Sequence, residues 1–273
     1  MIAITGATGN VGRMLVQELA AAGEQVTALA RRPSEAEMPQ GVQYRQADLA
    51  EPESLRPALD GAGALFLLVA GESPDDILDA AKTGGVRRIV LLSSQGAGTR
   101  PQTYRHPAVF EEAVRRSGLD WTILRPSGFD SNAFAWAQTI RSQRTAAAPF
   151  GDVGLPTIDP ADIAEVAAAV LRDESHAGRT YELTGPALTS PRQRAQVIGD
   201  VLGVPVRFVE QTREEARAQM LRFMPEPVVE GTLAILGEPT AAEQRVSPDV
   251  EQILGREPRT FAEWAARNIA AFG

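Results

Sequence analysis

Residues 5–13 read TGATGNVGR and follow directly on the apolar start MIAI. Glycine recurs at every third position of this stretch, at Gly6, Gly9 and Gly12. A glycine-rich turn between a first strand and the helix after it lets backbone amides approach a pyrophosphate closely, and the helix N-terminus adds partial positive charge. The stretch therefore predicts a strand, a phosphate-binding turn and a helix in that order.

Each glycine has a distinct expected role. Gly6 makes the turn, Gly9 clears space for a phosphate, and Gly12 lets the helix pack closely on the strand. The spacing is G-x-x-G-x-x-G rather than G-x-G-x-x-G, and a merely tight loop is the alternative reading. The loop residues that we expect to contact a dinucleotide are Gly6, Thr8, Gly9, Asn10, Val11 and Gly12.

The composition restricts the class of protein. A formal net charge of −8 argues against binding to the phosphate backbone of nucleic acids, which normally requires a basic face. The longest apolar run, residues 62–70, is about half as long as a membrane-spanning helix, so we expect a buried strand and no membrane partner. Cysteine is absent, and the glycine motif begins too early to follow a cleavable signal, so a cytoplasmic location is expected.

The first half alternates short apolar runs with amphipathic segments. Helical spacing follows the glycine turn and recurs near residues 76–81 and 111–117, where Glu111 and Glu112 are expected to open a helix. Strand and helix in alternation imply a doubly wound parallel sheet of the α/β Rossmann class. The predicted strands are residues 2–5, 25–30, 42–44, 64–69, 88–93 and 120–125.

The second half has a looser pattern. We expect a helix over residues 129–144 that leads into a stretch of small residues and proline at 145–151, to which we assign no element, and a further α/β region after it. The expected domains are a NAD(P)-binding Rossmann domain at 1–150 and a smaller C-terminal substrate lobe at 151–273. Two segments could instead return to the first sheet: the one near 155–185, which contains a helix and a strand, and the last helix at 260–272.

The end of the second strand predicts the cofactor. In dinucleotide folds an acidic residue there accepts the ribose hydroxyls, whereas an arginine suits a 2′-phosphate. Arg31 occupies this place, so NADPH is expected, unless Arg31 and Arg32 are simply solvated surface charges. The strand-end residues expected to line the nicotinamide site are Val69, Ala70, Ser93, Pro126 and Phe129.

Together these motifs resemble the NmrA-like group of atypical short-chain dehydrogenases, over essentially the whole chain. The resemblance implies NAD(P)H binding, with Asp48 and Leu49 beside the adenine. Among the characterised members, the NADPH-dependent quinone reductases are the most similar in kind; others reduce dyes, and some are redox-sensing regulators without turnover. The segments that carry the resemblance are TGATGNVGR, LARRP at 29–33, Asp48-Leu49, SGLDWTILRP at 117–126, PADIA at 160–164 and LGREPRTFAEWA at 254–265.

The Tyr-x-x-x-Lys proton relay of related carbonyl reductases cannot form in this sequence. Tyr104 is followed four residues later by Ala108, and Lys82 is the only lysine. Tyr104 and His106 are the candidate proton donors by position, although a loop histidine is more often a surface residue. The two histidines are far apart in the sequence and have no i, i+4 partner, so no metal site is expected.

Quinone reduction tolerates the loss of the relay, because a conjugated acceptor spreads the charge that arrives with the hydride. Asn132, Phe134 and Trp136 are candidates for one wall of a planar-substrate pocket, with core packing as the alternative. The sequence thus predicts an NADPH-dependent oxidoreductase that transfers a hydride to a quinone or a similar planar conjugated acceptor, which is a small-molecule substrate. An NADP(H)-sensing regulator and an enzyme with one dedicated substrate are the alternatives, and homo-oligomerisation stays open.

Overall fold

The structure is a computed structural model that describes residues 1–32 and 39–273. Pro33, the last residue of the LARRP motif, lies outside the described residues. Strands are numbered in chain order. They are β1 (Ile2–Thr5), β2 (Val26–Ala30), β3 (Val42–Gln46), β4 (Ala64–Leu68), β5 (Arg88–Leu92), β6 (Asp120–Pro126), β7 (Thr145–Pro149), β8 (Arg179–Leu183) and β9 (Arg207–Gln211).

Helices connect most of these strands. Short 3-10 turns accompany them, among them Asp130–Trp136 and Ile269–Ala271. The α-helices are α1 (Asn10–Ala21), α2 (Arg56–Leu59), α3 (Pro74–Thr83), α4 (Gln95–Thr99), α5 (Arg105–Arg116), α6 (Ala137–Gln143), α7 (Pro160–Arg172), α8 (Pro191–Leu202), α9 (Arg213–Met220), α10 (Glu226–Gly237), α11 (Asp249–Leu254) and α12 (Phe261–Arg267).

Seven strands form one parallel sheet in the order β3-β2-β1-β4-β5-β6-β8. The strand order reverses between β1 and β4, which pair with Ile2 opposite Ala64. The central strands are almost entirely apolar and buried, as in IAIT and ALFLL, because helices cover both faces of a parallel sheet. The predicted doubly wound α/β fold is confirmed.

The principal difference from the sequence-based expectation lies at residues 145–151, where no regular element is predicted. The structure has β7 there, paired in parallel with β9 so that Thr145 is opposite Arg207. The preceding segment is also more irregular than the single expected helix, because it begins as a 3-10 turn before α6. A partner strand about sixty residues away in the sequence gives no local signal, so periodicity does not reveal this pair.

The first compact unit consists of residues 1–98, 105–126 and 160–182. Its core contains the central strands together with apolar side chains of α3 and α5, such as Ile77 and Phe110. Residues 160–182, which follow the expected boundary near 150, belong to this unit. They supply α7, which packs on α1, and β8 at the sheet edge beside β6.

The second compact unit consists of residues 99–104, 127–159 and 183–273. It has its own aromatic core, in which Phe261, Trp264 and Phe272 pack with Ile140 and Ile198. The final α-helix α12 packs on α8 within this unit.

Two further observations concern the described residues only. None of the helices in 1–32 and 39–273 has both the length and the apolar character needed to cross a bilayer. The same residues contain no group of three His, Asp or Glu side chains placed to hold a metal ion.

An ion pair fixes the short segment 99–104 within the second unit. Arg100 donates to both carboxylate oxygens of Glu243, from Nε at 2.7 Å and Nη2 at 2.9 Å, and the backbone amide of Thr240 donates to the same carboxylate at 2.8 Å. Glu243 is fully buried. Burial alone would raise the pKa of this carboxyl, but the hydrogen bonds from Arg100 and Thr240 outweigh burial and lower the pKa from 4.5 to about 2.

We expect Glu243→Gln to lower the free energy of unfolding by roughly 3 kcal/mol at neutral pH. A carboxyl group whose pKa is lower in the folded state than in the unfolded state stabilises the fold at every pH above its unfolded-state pKa. That stabilisation is complete above the unfolded value of 4.5 and is lost as the pH falls towards 2. Urea unfolding of both proteins between pH 7 and pH 2.5 should show the difference shrinking over this window.

Glu238→Gln is the matched control, because it removes the same charge from an exposed neighbouring position. Its unfolding free energy should differ from that of the wild type by less than about 0.5 kcal/mol. A Glu243→Gln effect that stays constant with pH would contradict the assignment.

Candidate functional site

The turn after β1 is closely packed around its first and third glycines. Gly6 has φ +62°, in the left-handed region that favours glycine, and its carbonyl oxygen accepts a hydrogen bond from the Gly9 amide at 2.9 Å. A Cβ on Gly12 would lie 2.2 Å from the Gly6 oxygen, which no real side chain allows. The turn therefore requires glycine at both ends, and α1 starts in contact with the end of β1.

Gly9 is less crowded than the other two glycines, because a Cβ there would meet only one atom. A Cβ there would have only the Gly6 oxygen near it, at 3.2 Å, and the backbone is extended, with φ −81°. No side chain caps α1, and its first turn contains no acidic residue. The N-terminal amides of this helix and the open space at Gly9 fit the pyrophosphate of a dinucleotide.

The strand ends beside the turn are joined by specific contacts. The Thr5 hydroxyl donates to Phe66 O at 3.0 Å and accepts from the Leu68 amide at 2.9 Å, which ties β1 to β4. Gly71, which follows β4, has φ +83°, and a Cβ on it would lie 2.2 Å from Leu49 O. The loops after β3 and β4 therefore meet without room for a side chain.

Asp48 and Leu49, the expected adenine neighbours, lie in this loop after β3. The Asp48 amide donates to the Ser54 hydroxyl at 2.9 Å, and one carboxylate oxygen of Asp48 accepts from the Ala50 amide at 3.0 Å. Leu49 is half-buried and packs against the core of the first unit. The hydrogen bonds order the loop locally; contact with adenine stays a prediction.

Arg31 lies at the end of β2 with an exposed side chain. Residues of β3 hold the backbone around Arg31. The Gln46 side-chain amide donates to Arg31 O at 3.1 Å, and the Tyr44 hydroxyl shares its one hydrogen between Ala30 O, at 3.0 Å, and Arg32 O. The backbone is therefore ordered by its neighbours while the guanidinium faces solvent. This arrangement leaves Arg31 accessible to an anionic ligand.

A buried ionic network lies behind the end of β5. The Ser93 hydroxyl donates to Glu111 Oε1 at 2.6 Å, and Arg125 donates to both carboxylate oxygens, from Nε at 2.9 Å and Nη2 at 2.6 Å. Arg115 adds a third cationic hydrogen bond at 2.8 Å. Burial would raise the pKa of Glu111, but the hydrogen bonds from Arg125 and Ser93 outweigh burial and lower the pKa.

This network corrects the expectation that Glu111 and Glu112 open a helix. Helix α5 begins at Arg105, so both residues lie in its second half. Glu111 is 1% exposed, whereas Glu112 faces solvent and pairs with Arg116. The apolar periodicity of α5 places residue 111 on the inward face, but the partners Ser93 and Arg125 come from other segments of the chain and give no local signal.

The remaining strand-end residues divide between the two units. Val69 and Ala70, both half-buried, and the buried Pro126 at the end of β6 belong to the first unit. Phe129 belongs to the second unit, where its backbone forms a bridge with Ile158. Within the first unit the structure places the glycine turn, Arg31, Asp48, Val69 and Ser93 at the carboxyl ends of neighbouring strands.

The candidate proton donors have different surroundings. His106 is exposed, and its Nε2 lies 2.7 Å from Gly71 O in the first unit. Because a carbonyl only accepts, Nε2 carries the hydrogen in this contact. Tyr104, in the second unit, is half-buried; burial raises the pKa of its hydroxyl, and a hydrogen bond with Thr232 acts in the opposite direction. Tyr104 therefore keeps its proton at neutral pH.

The candidate pocket residues lie in the 3-10 turn Asp130–Trp136 of the second unit. Asn132 is exposed. The Phe134 ring stacks on Phe272 with 5.9 Å between centroids, and the Trp136 indole donates to Ala147 O at 2.9 Å. Both aromatic side chains thus contribute to packing in this unit, and their contact with a substrate stays a prediction.

Curated relatives match the chain over its length. The chain is 38% identical to (4-alkanoyl-5-oxo-2,5-dihydrofuran-3-yl)methyl phosphate reductase of Streptomyces griseus, covering all of this chain and 99% of that protein. It is 34% identical to the NAD(P)H azoreductase of Xenophilus azovorans, again covering all of this chain and 99% of the relative. Quinone oxidoreductase 2 of Escherichia coli is 31% identical over 76% of this chain and 77% of its own length.

Solved structures with a similar fold also match the chain over nearly its whole length. The NADPH complex of the Escherichia coli NADPH-dependent quinone oxidoreductase has a TM-score of 0.83 at 26% identity, covering 98% of this chain and 99% of that one. The transcriptional regulator NmrA has the same fold, with a TM-score of 0.76 at 20% identity, covering 98% of this chain and 95% of that one.

A family described as NAD(P)H-binding matches residues 6–174, from the first glycine of the turn to the end of α7 and just beyond it. The matched region contains the uncapped α1 N-terminus, Arg31 and the strand ends described above. The expected resemblance to the NmrA-like group is likewise confirmed by the solved neighbours. The chain therefore belongs to the NAD(P)H-binding family and is an NAD(P)H-dependent oxidoreductase of the NmrA-like, atypical short-chain dehydrogenase type.

Proposed function

We propose that this protein transfers a hydride from NADPH to a quinone or a similar planar, conjugated acceptor. The observation that carries the proposal is the glycine turn leading into the uncapped N-terminus of α1, with Arg31 exposed at the end of the next strand. Reduced nicotinamide supplies the hydride when it is bound. The chain's own residues bind and orient the reactants.

Specific residues would hold each part of the cofactor. The α1 amides and the space at Gly9 receive the pyrophosphate, and Arg31 pairs with the 2′-phosphate. Asp48 and Leu49 are proposed beside the adenine. Val69, Ala70, Ser93, Pro126 and Phe129 are proposed beside the nicotinamide. NADPH rather than NADH follows from Arg31, because an arginine donates to a phosphate through a planar, permanently charged group.

The proposed acceptor class follows from the chemistry of proton delivery. The one lysine of the chain, Lys82, lies on α3 with an exposed side chain and pairs with Asp79. A conjugated acceptor needs no strong acid at the moment of hydride transfer, because delocalisation spreads the arriving charge. Water can supply the proton, and so can a weak acid such as Tyr104 or His106.

The relatives support the same class. Their names describe a quinone, an azo compound and a dihydrofuranone that carries an alkanoyl group. All three types of molecule contain an unsaturated group that accepts two electrons. What these acceptors share is conjugation, which is the property that the proposal requires.

We expect the purified protein to oxidise NADPH in the presence of a small quinone, with turnover on the order of 1–100 per second. Stopped-flow absorbance should be recorded with a panel containing a quinone, an azo dye, an α,β-unsaturated lactone and an isolated ketone. The conjugated members should be reduced. Reduction of the isolated ketone should be at least about a hundred-fold slower, because hydride transfer to an isolated carbonyl requires a general acid. Tight NADPH binding without oxidation by any acceptor would favour the NADP(H)-sensing alternative.

Arg31→Ala should weaken NADPH binding by about ten-fold to a hundred-fold, because a hydrogen bond to a charged group contributes roughly 1.5–3 kcal/mol. NADH, which lacks the 2′-phosphate, should bind the variant and the wild type alike. Fluorescence titration measures both affinities. Arg116→Ala removes an exposed arginine from α5 and should change neither; an equal loss for both cofactors in Arg31→Ala would contradict the assigned contact.

Two alanine substitutions in the glycine turn should separate folding from binding. Gly12→Ala forces a side chain against the Gly6 oxygen and should cost about 1–3 kcal/mol of stability. Gly9→Ala brings a Cβ to 3.2 Å from the Gly6 oxygen alone, on an allowed backbone, so it should cost less stability than Gly12→Ala, about 1 kcal/mol at most, while NADPH affinity falls. Thermal melts and NADPH titrations of both variants test this. A Gly9→Ala protein that binds NADPH normally would show that the space is not used.

A further inference from the structure

The Ser93 hydroxyl is held in one orientation by its partner. It lies directly after β5, is 9% exposed, and its Oγ is 2.6 Å from Glu111 Oε1. A carboxylate oxygen can only accept a hydrogen bond, so the serine must give its one hydrogen to Glu111. The lone pairs of the serine oxygen are then the only hydrogen-bonding capacity that it can offer to a ligand.

The arrangement requires Glu111 to stay ionised, and its surroundings secure this. Both carboxylate oxygens face Arg125, and Arg115 donates to Oε2. The same contacts keep the pKa of Glu111 below its ordinary value despite burial. Glu111 therefore has no proton of its own to donate over the neutral range, and the direction of the Ser93 hydrogen bond is fixed.

The place of Ser93 in the sheet indicates which part of the cofactor it meets. Strand β5 is two strands from β1 in the sheet, and adjacent strands are about 4.8 Å apart, so the end of β5 lies roughly 10 Å from the glycine turn. Arg31, directly after β2, lies on the opposite side of β1. A dinucleotide with its 2′-phosphate at Arg31 and its pyrophosphate at the turn extends its nicotinamide half towards β5.

We propose that Ser93 accepts a hydrogen bond from the carboxamide N–H of the nicotinamide, and that Glu111 is the positioning residue that prevents Ser93 from donating. The proposal rests on the proposed function, because it requires NADP(H) to bind. The carboxamide carries the only N–H donor on the nicotinamide ring. An acceptor-only serine therefore selects the amide over a carbonyl group without N–H.

The test compares two oxidised ligands by calorimetric titration, without turnover. NADP⁺ carries the carboxamide, whereas its 3-acetylpyridine analogue has a methyl group in place of the amide NH₂ and keeps the carbonyl. The wild type should bind NADP⁺ roughly ten-fold more tightly, the size expected for one hydrogen bond. In Ser93→Ala this preference should fall to near one, because the acceptor is gone.

Two further variants separate positioning from packing. Ser94→Ala removes the same atoms from the neighbouring residue, whose hydroxyl accepts from the Gly96 amide at 3.2 Å, and should keep the wild-type preference. Glu111→Asp keeps the charge beside Arg125 but withdraws the carboxylate by one methylene group. The Ser93 hydrogen is then free to turn towards a ligand carbonyl, so the preference for the amide should fall although Ser93 is intact. Thermal melts establish that each variant is folded.

The outcomes distinguish this inference from the proposed function. An unchanged preference in Ser93→Ala, or an equal loss of affinity for both ligands, would overturn the carboxamide contact while NADP(H) binding stands. A wild-type preference retained in folded Glu111→Asp would overturn the positioning role of Glu111. Failure of the wild type to bind NADP⁺ at all would overturn the proposed function and this inference with it.

Discussion

The close contact between Gly12 and the carbonyl oxygen of Gly6 is the constraint on which the first unit depends. Because no side chain fits between them, the start of α1 is pressed against the end of β1. The Thr5 hydroxyl then ties the same strand end to β4. Backbone amides, a helix terminus and the ends of the neighbouring strands are thereby brought to one edge of the sheet, where open α/β sheets bind ligands.

A second principle of the molecule is the pairing of buried glutamate with arginine. Arg125 holds Glu111 in the first unit and Arg100 holds Glu243 in the second, each through Nε and Nη2 to two carboxylate oxygens. The planar guanidinium makes such a pairing geometrically definite, whereas a lysine ammonium acts as a point charge. In the first unit this geometry also orients the hydroxyl group at the end of β5, because Glu111 accepts a hydrogen bond from the buried Ser93.

Because the chain has a single lysine, arginine supplies the cation in both of these buried pairs. Arginine stays protonated at any physiological pH, so the paired arginines order carboxylates but do not relay protons. Ser93, whose hydroxyl donates its hydrogen bond to Glu111, cannot donate to a substrate carbonyl either. The strand ends of the first unit consequently carry several orienting groups and few acids, which fits the proposed reaction, in which the acceptor spreads the charge of the hydride.

The sequence by itself determined the doubly wound sheet, the glycine turn and the position of Arg31, because each depends on residues close together in the chain: apolar runs of four to six residues, helical spacing, and a turn followed by a helix. Only the tertiary structure decided that residues 145–149 form β7 and that Glu111 is a buried partner of Ser93 and Arg125 rather than an acidic residue at a helix start. Strand pairing and buried ion pairs join groups that are distant in the chain, and a residue's own neighbours do not identify such partners.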